Sequence, residues 1–187
     1  MGGPAIYNPR YECMPREELL QLQLERLQAT VNRAYKSVAF YHHRLDELKL
    51  QPEDFQSLDD LRKLPFTTKN DLRASYPYGM VAVPLREVVR FHLSSGTTGI
   101  ATVIAYTAND LVHWTGLVAR NLAAGGVTRE DVVQVFFGYG LFSGGFGLHQ
   151  GAEALGASVL PVSNADLAQQ VKIMQDFRTT ALVGMPS

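Results

Sequence analysis

The stretch Ser94-Ser95-Gly96-Thr97-Thr98-Gly99 carries four hydroxyls and two glycines in six residues. Hydroxyls and backbone N–H groups on a path that glycine leaves unrestricted can converge on an anion, and a phosphate suits such a cradle. The spacing is not that of a Walker loop, G-x-x-x-x-G-K-[ST], because no lysine lies within it. Nor does a G-x-G-x-x-G dinucleotide fingerprint follow a strand here. The residues alone leave a second reading open, a polar linker between two strands. A second glycine-rich stretch runs from Gly138 to Gly147, with five glycines and the aromatic residues Tyr139, Phe142 and Phe146. Close backbone approach and three rings can make a flat apolar slot for a ligand. The same rings can equally plug a core. Lys69 and Arg73, four apart on one helix face, suit either a phosphate contact or a solvated surface.

The elements that must position these residues follow from periodicity. Pro15, then Glu17 and Glu18, mark a helix start. Leu20, Leu24, Leu27, Val31, Ala34 and Val38 recur at three and four residues, predicting one long amphipathic helix to about Val38. A short helix is expected over Tyr41–Leu48. Its adjacent His42 and His43 point about 100° apart and do not share a metal. Ser57 with Asp60 and Thr68 with Asp71 have capping-box spacing, as does Thr107 with Asp110. Strands are expected at Val88–Leu93, Thr102–Tyr106, Val132–Phe137, Ser158–Leu160 and Ala181–Val183. Helices are expected at about Asn109–Ala124, Gly145–Leu155 and Leu167–Phe177. This alternation after Tyr106 predicts a parallel sheet with helical crossovers, whose ligands bind at the C-terminal ends of strands.

The 187 residues suffice for one substantial domain, and 46% hydrophobic content supports a core. With 17 basic and 18 acidic side chains the net charge is -1, which gives no electrostatic case for a nucleic-acid partner. The lone Cys13 excludes an internal disulfide and reads as an inert thiol. No apolar run reaches membrane-spanning length and no secretory signal is visible, so no membrane partner is expected and the cytoplasm is the default. The chain stops at Ser187, just past its last expected strand, where a covering helix is due; it reads as truncated. A sheet cut there exposes apolar surface and an open strand edge, and a homo-oligomer is the expected consequence.

Several segments, in order, resemble the acyl- and aryl-adenylate-forming enzymes, and within them the phenylacetate–coenzyme A ligases. The phosphate loop of that family reads S-S-G-T-T-G-K-P-T; this chain has Ser94-Ser95-Gly96-Thr97-Thr98-Gly99-Ile100-Ala101-Thr102. Leu61 through Lys69 with Asp71-Leu72-Arg73, Tyr76-Pro77-Tyr78-Gly79, and the segment from Tyr139 to His149 look like the same subgroup. The resemblance runs from about Tyr7 to Ser187. It implies an α/β fold: an N-terminal helical region over 1–80, followed over 81–187 by part of the parallel-sheet large domain that carries the phosphate loop. It implies that ATP and an aromatic carboxylate such as phenylacetate give an acyl-adenylate, which coenzyme A thiol then takes up, with Mg2+ assisting. Matched to the loop, Ser94, Ser95, Gly96, Thr97, Thr98, Gly99 and Thr102 are the nucleotide-binding residues, and Tyr139, Phe142 and Phe146 fall in the aryl pocket.

Two departures qualify that implication. The loop lysine of the family is Ile100 here and its proline is Ala101. An isoleucine cannot supply the charge-assisted bond of an ammonium beside a triphosphate. The family's adenine, magnesium, ribose and catalytic-lysine motifs fall beyond Ser187, so no catalytic residue or metal ligand is assigned. The 187 residues alone are expected to be inactive. The alternative to a ligase is a degenerate, non-catalytic homologue with a binding or structural role.

Overall fold

The computed structural model of the protein describes residues 5–94, 101–141 and 143–184. Two units make up the chain: Cys13–Ala105, and Tyr106–Ser187 together with Met1–Glu12. A single helical turn, α1 (Pro9–Glu12), belongs to the latter unit, where Glu12 pairs with Arg120 at 3.6 Å.

The unit Cys13–Ala105 is built on α2 (Arg16–Ser37) and α3 (Ala39–Glu47). Val38 separates them because its backbone is extended, with φ -122° and ψ 107°. It still donates its N–H to Ala34 and accepts from the N–H of His42, so one buried residue ends one helix and starts the next. The second helix therefore begins two residues before the expected Tyr41. Of the apolar stripe on α2, the C-terminal half does the packing. Val31 is buried with Leu45 and Phe55, flanked by Leu27, Tyr35, Leu50 and Leu64. Each such fully buried side chain contributes about 1.5–3 kcal/mol. Leu20, at the other end of the stripe, is exposed. Hydrogen bonds from Gln28 Nε2 to the Phe55 carbonyl and from the Tyr35 hydroxyl to Asp46 fix the same corner at 2.8 Å each.

Two 3-10 turns follow, Pro52–Asp54 and Leu58–Lys63, and then α4 (Lys69–Ala74). The Asp60 carboxylate accepts from the N–H and hydroxyl of Ser57, and Asp71 accepts likewise from Thr68. Another 3-10 turn, Leu85–Glu87, leads into β1 (Val88–Leu93), which forms a two-stranded sheet with β2 (Val103–Thr107). The unit boundary falls inside β2.

In the other unit the order is α5 (Ala108–Ala124), β3 (Val132–Val135), α6 (Gly144–Leu155), β4 (Ser158–Leu160), α7 (Leu167–Phe177) and β5 (Ala181–Val183). Thr107 caps α5, its hydroxyl accepting from the Asp110 N–H while Asp110 accepts from the Thr107 N–H. The strands form a parallel sheet in the order β4-β3-β5, with Val133 opposite Val159 on one side and Ala181 on the other. The α/β class and the parallel sheet expected from the sequence are both present. β3 is two residues shorter than expected, its last sheet bond running from the Phe136 N–H to the Val183 carbonyl. Val133, Gln134 and Val135 are fully buried, as a strand covered on both faces requires. Val133 packs with Leu122, Ala152 and Ala157 from the flanking segments. Among the described residues no helix is long and apolar enough to cross a membrane.

Asp131 fastens the start of β3 to the start of β5. Its carboxylate accepts from the Thr180 hydroxyl at 2.7 Å and from the N–H and hydroxyl of Thr128 at 2.7 and 2.9 Å. These bonds, that of Thr180 foremost, hold its acid below the ordinary aspartate range. A carboxyl depressed in the folded state stabilises fully above its unfolded pKa and less as pH falls through the folded one. Urea unfolding should therefore show Asp131→Ala less stable than wild type by about 1 kcal/mol near neutrality, a gap that closes below roughly pH 4. A gap independent of pH across that window would contradict the ionised clamp.

Candidate functional site

The residues singled out from sequence fall in two clusters, one in each unit. Ser95 to Gly99, together with Ile100, lie outside the described residues, as does Phe142. The two ends of the hydroxyl-rich loop are described. The Ser94 N–H donates to the Thr102 carbonyl at 3.0 Å, and the Thr102 N–H donates to Ser94 Oγ at 3.1 Å. The loop thus leaves β1 and returns towards β2 through a doubly bonded neck. Ser94 Oγ serves there as an acceptor, which leaves its proton available to a further acceptor. Lys69 and Arg73 sit on α4 of the same unit; Lys69 is exposed, and Arg73 Nη1 donates to Asn70 Oδ1 at 3.3 Å.

The aromatic cluster begins where β3 ends. The chain runs out through Gly138 and returns at Gly145 so closely that a Cβ on Gly145 would meet the Gly138 carbonyl oxygen at 2.9 Å. Gly138 is hemmed in turn by the Asn164 side chain, 2.8 Å from where its Cβ would stand. Only glycine permits that closure, and it puts the loop at the C-terminal end of a parallel strand, the usual place for ligands in such sheets. Tyr139 and Phe146 meet edge to face, with centroids 5.4 Å apart and planes at 87°. Both rings are half-buried, neither sealed in the core nor free in solvent.

Three residues near these rings were not singled out from sequence. His149 on α6 lies with Nδ1 3.1 Å from the Tyr139 hydroxyl and Nε2 3.0 Å from Glu153. Burial first, and the charge of Glu153 second, push the Tyr139 phenol above its ordinary pKa, so it stays protonated at neutral pH. The third is Trp114 on α5, which stacks on Tyr106 at 5.1 Å and 12° and lies where a side chain on Gly147 would have to go. The His149–Glu153 spacing of four is legible on any helix. Its link to Tyr139, ten residues back, depends on the glycine-closed turn. Elsewhere, His42 is locally bonded, with Nδ1 3.1 Å from the Tyr35 carbonyl and Nε2 3.4 Å from Asp46.

No family model matches the chain. It is 50% identical over 182 residues to a phenylacetate–coenzyme A ligase of Thermus thermophilus, covering 97% of this chain and 41% of the relative. It is 47% identical over 171 residues to one of Escherichia coli, covering 91% of this chain and 39% of the relative. The chain thus spans about two fifths of the length of the curated relatives it matches. Among solved structures, a 2-hydroxyisobutyryl-CoA ligase in complex with 2-HIB-AMP and CoA superimposes with a TM-score of 0.87 at 31% identity, covering 95% of this chain and 39% of that one. An open conformation of the same ligase gives 0.88 at 29% identity, covering 97% of this chain and 44% of that one. Identity near one half across almost every residue, on a backbone shared with a ligase bound to an acyl-adenylate, makes the chain a homologue of the phenylacetate–coenzyme A ligases and of the wider acyl-adenylate-forming ligases.

Proposed function

We propose that the chain supplies the phosphate-binding loop and part of the acid pocket of an AMP-forming ligase that joins an aromatic carboxylate, phenylacetate or a near analogue, to coenzyme A. The observation that carries this reading is the 50% identity over 182 residues to a phenylacetate–coenzyme A ligase. The reaction has two displacements. A carboxylate oxygen attacks the α-phosphorus of ATP and pyrophosphate leaves with the bonding electrons. The thiol sulfur of coenzyme A then attacks the acyl carbon, AMP leaves, and the thiol proton passes to solvent or base. In this reading the hydroxyls and N–H groups of Ser94, Ser95, Gly96, Thr97, Thr98, Gly99 and Thr102 hold the phosphates as charge shifts to the leaving pyrophosphate. The neck between Ser94 and Thr102 supports it, because a cradle whose ends are bonded together loses less entropy on binding. Tyr139, Phe142 and Phe146 line the acid's ring. Magnesium is implied by the family likeness, but no group of three or more His, Cys, Asp or Glu side chains among the described residues can hold a metal ion, and no step runs through it.

Acid-dependent pyrophosphate release by the complete gene product tests the reading. Phenylacetate and related aryl acids should support it and short aliphatic acids should not, while the 187 residues alone should turn over no ATP. Silence across an acid panel would remove the ligase. A second reading, a non-catalytic homologue with a binding or structural role, is favoured by Ile100 in place of the family lysine. Restoring the ammonium separates the two. In a working ligase Ile100→Lys should tighten ATP binding roughly tenfold, the worth of one charge-assisted bond. An unchanged ATP dissociation constant would mean that the loop holds no triphosphate in the family's manner.

A further inference from the structure

Tyr139, His149 and Glu153 form a run of close polar contacts, a hydrogen bond from Tyr139 to His149 and a 3.0 Å pair between His149 and Glu153, that the reaction outlined above does not use. A carboxylate only accepts, so the imidazole nitrogen facing Glu153, Nε2, carries a proton. In the neutral ring Nδ1 is then a lone pair, and the Tyr139 hydroxyl 3.1 Å away donates to it. With the ring neutral, the phenol proton is therefore committed to His149. The ring is held besides by edge-to-face contacts with Phe146 at 5.4 Å and with the imidazole itself at 5.7 Å. Glu153 stands one turn beyond His149 on α6, so a rigid helix carries both members of the relay.

We infer that His149 is a positioning residue, oriented by Glu153, that holds Tyr139 by its hydroxyl so that the tyrosine offers an aromatic ligand its ring and not its O–H. The identity of that ligand, an aromatic carboxylic acid, rests on the proposed function; the relay does not. Once the hydroxyl is spoken for, it cannot bind the acid's carboxylate, and Tyr139 selects for a flat apolar group. Removing either partner frees the ring to rotate and returns a polar proton to the pocket wall.

The relay can be read without ligand on the 15N-labelled 187-residue chain. Long-range proton–nitrogen spectra near pH 8, assigned among the five histidines with His149→Ala, should show His149 as the Nε2–H tautomer. Tyr139→Phe should move its Nδ1 resonance downfield towards the value of an unbonded lone pair. An Nδ1–H tautomer, or a spectrum that Tyr139→Phe leaves unchanged, would overturn the relay. In the complete gene product, His149→Ala and Tyr139→Phe should each raise KM for phenylacetate roughly fivefold with a smaller change in kcat, the worth of one hydrogen bond. His149→Asn, whose Oδ1 can accept where Nδ1 did, should recover most of that loss. Equal losses for Ala and Asn would overturn the positioning role. A wild-type protein that uses no aromatic acid while its spectra behave as described would remove the ligand assigned here together with the proposed function, and leave the relay standing.

Discussion

Gln134→Glu should destabilise the protein by about 3–5 kcal/mol near pH 8 and by much less near pH 5. The exchange replaces one NH2 by one oxygen at a fully buried site in the central strand of the parallel sheet. Gln134 Nε2 donates to Gln170 Oε1 at 2.7 Å and approaches the Gln170 carbonyl at 3.2 Å. Its Oε1 accepts from the Thr179 hydroxyl at 2.9 Å, and Gln170 Nε2 passes the chain on to the Ser163 carbonyl at 2.9 Å. The amide is thus satisfied at both ends, which is what allows a polar side chain in this position. A carboxylate there would face two acceptors across the distances that now hold a donor. Only the protonated acid, donating where Nε2 did, fits. The folded-state pKa of the introduced carboxyl would accordingly be raised above its unfolded value. A group raised in this way keeps its stability below the unfolded pKa and loses it as pH climbs through the folded one. Urea midpoints across that range should therefore fall with rising pH in the variant relative to wild type. A pH-independent difference would mean that water or a rearranged Gln170 solvates the new charge.

Elements whose signals are local were legible in the sequence, and those built by long-range closure were not. The bounds of β1, β4, β5 and α7 coincide with the runs expected from alternation and helical spacing, and Thr68, Thr107 and Ser57 bond their partners three residues on as the capping pattern demands. Nothing local marks Val38 as the break between two helices: it continues the apolar stripe of α2, yet its backbone is extended and its side chain is buried. Gln134 interrupts an apolar run without announcing that Gln170 and Thr179 will meet it, 36 and 45 residues on. At the candidate site, residue type pointed to Tyr139 and Phe146, whose contact the structure shows, yet gave no reason to couple Tyr139 with His149. That coupling needs the turn between Gly138 and Gly145, and glycine reports freedom to turn without saying where the chain goes.

The same substitution should have opposite signs on two facing helices. Gly116 on α5 has nothing within 4 Å of where its Cβ would stand, and Gly151 on α6 has Val118 Cγ1 at 2.5 Å, Val118 Cβ at 2.8 Å and the Ala119 backbone nitrogen at 3.0 Å. Gly116→Ala adds no contact, but it removes conformational freedom from the unfolded chain in the middle of a 17-residue helix, and should stabilise by about 0.5–1 kcal/mol. Gly151→Ala receives the same helical benefit and must then open the packing of α6 on α5. A β-branched side chain and a main-chain atom cannot swing aside as a flexible side chain can. The expected net loss is about 3 kcal/mol, at the upper end for overpacking. Ala119, Leu122 and Ala152 are all buried around this contact, so the shift spreads into the layer that covers β3 and supports the start of the aromatic loop. Thermal unfolding of the two variants should place their midpoints on either side of wild type. If both rose, α6 would not pack on α5 through Gly151 as the distances to Val118 and Ala119 require.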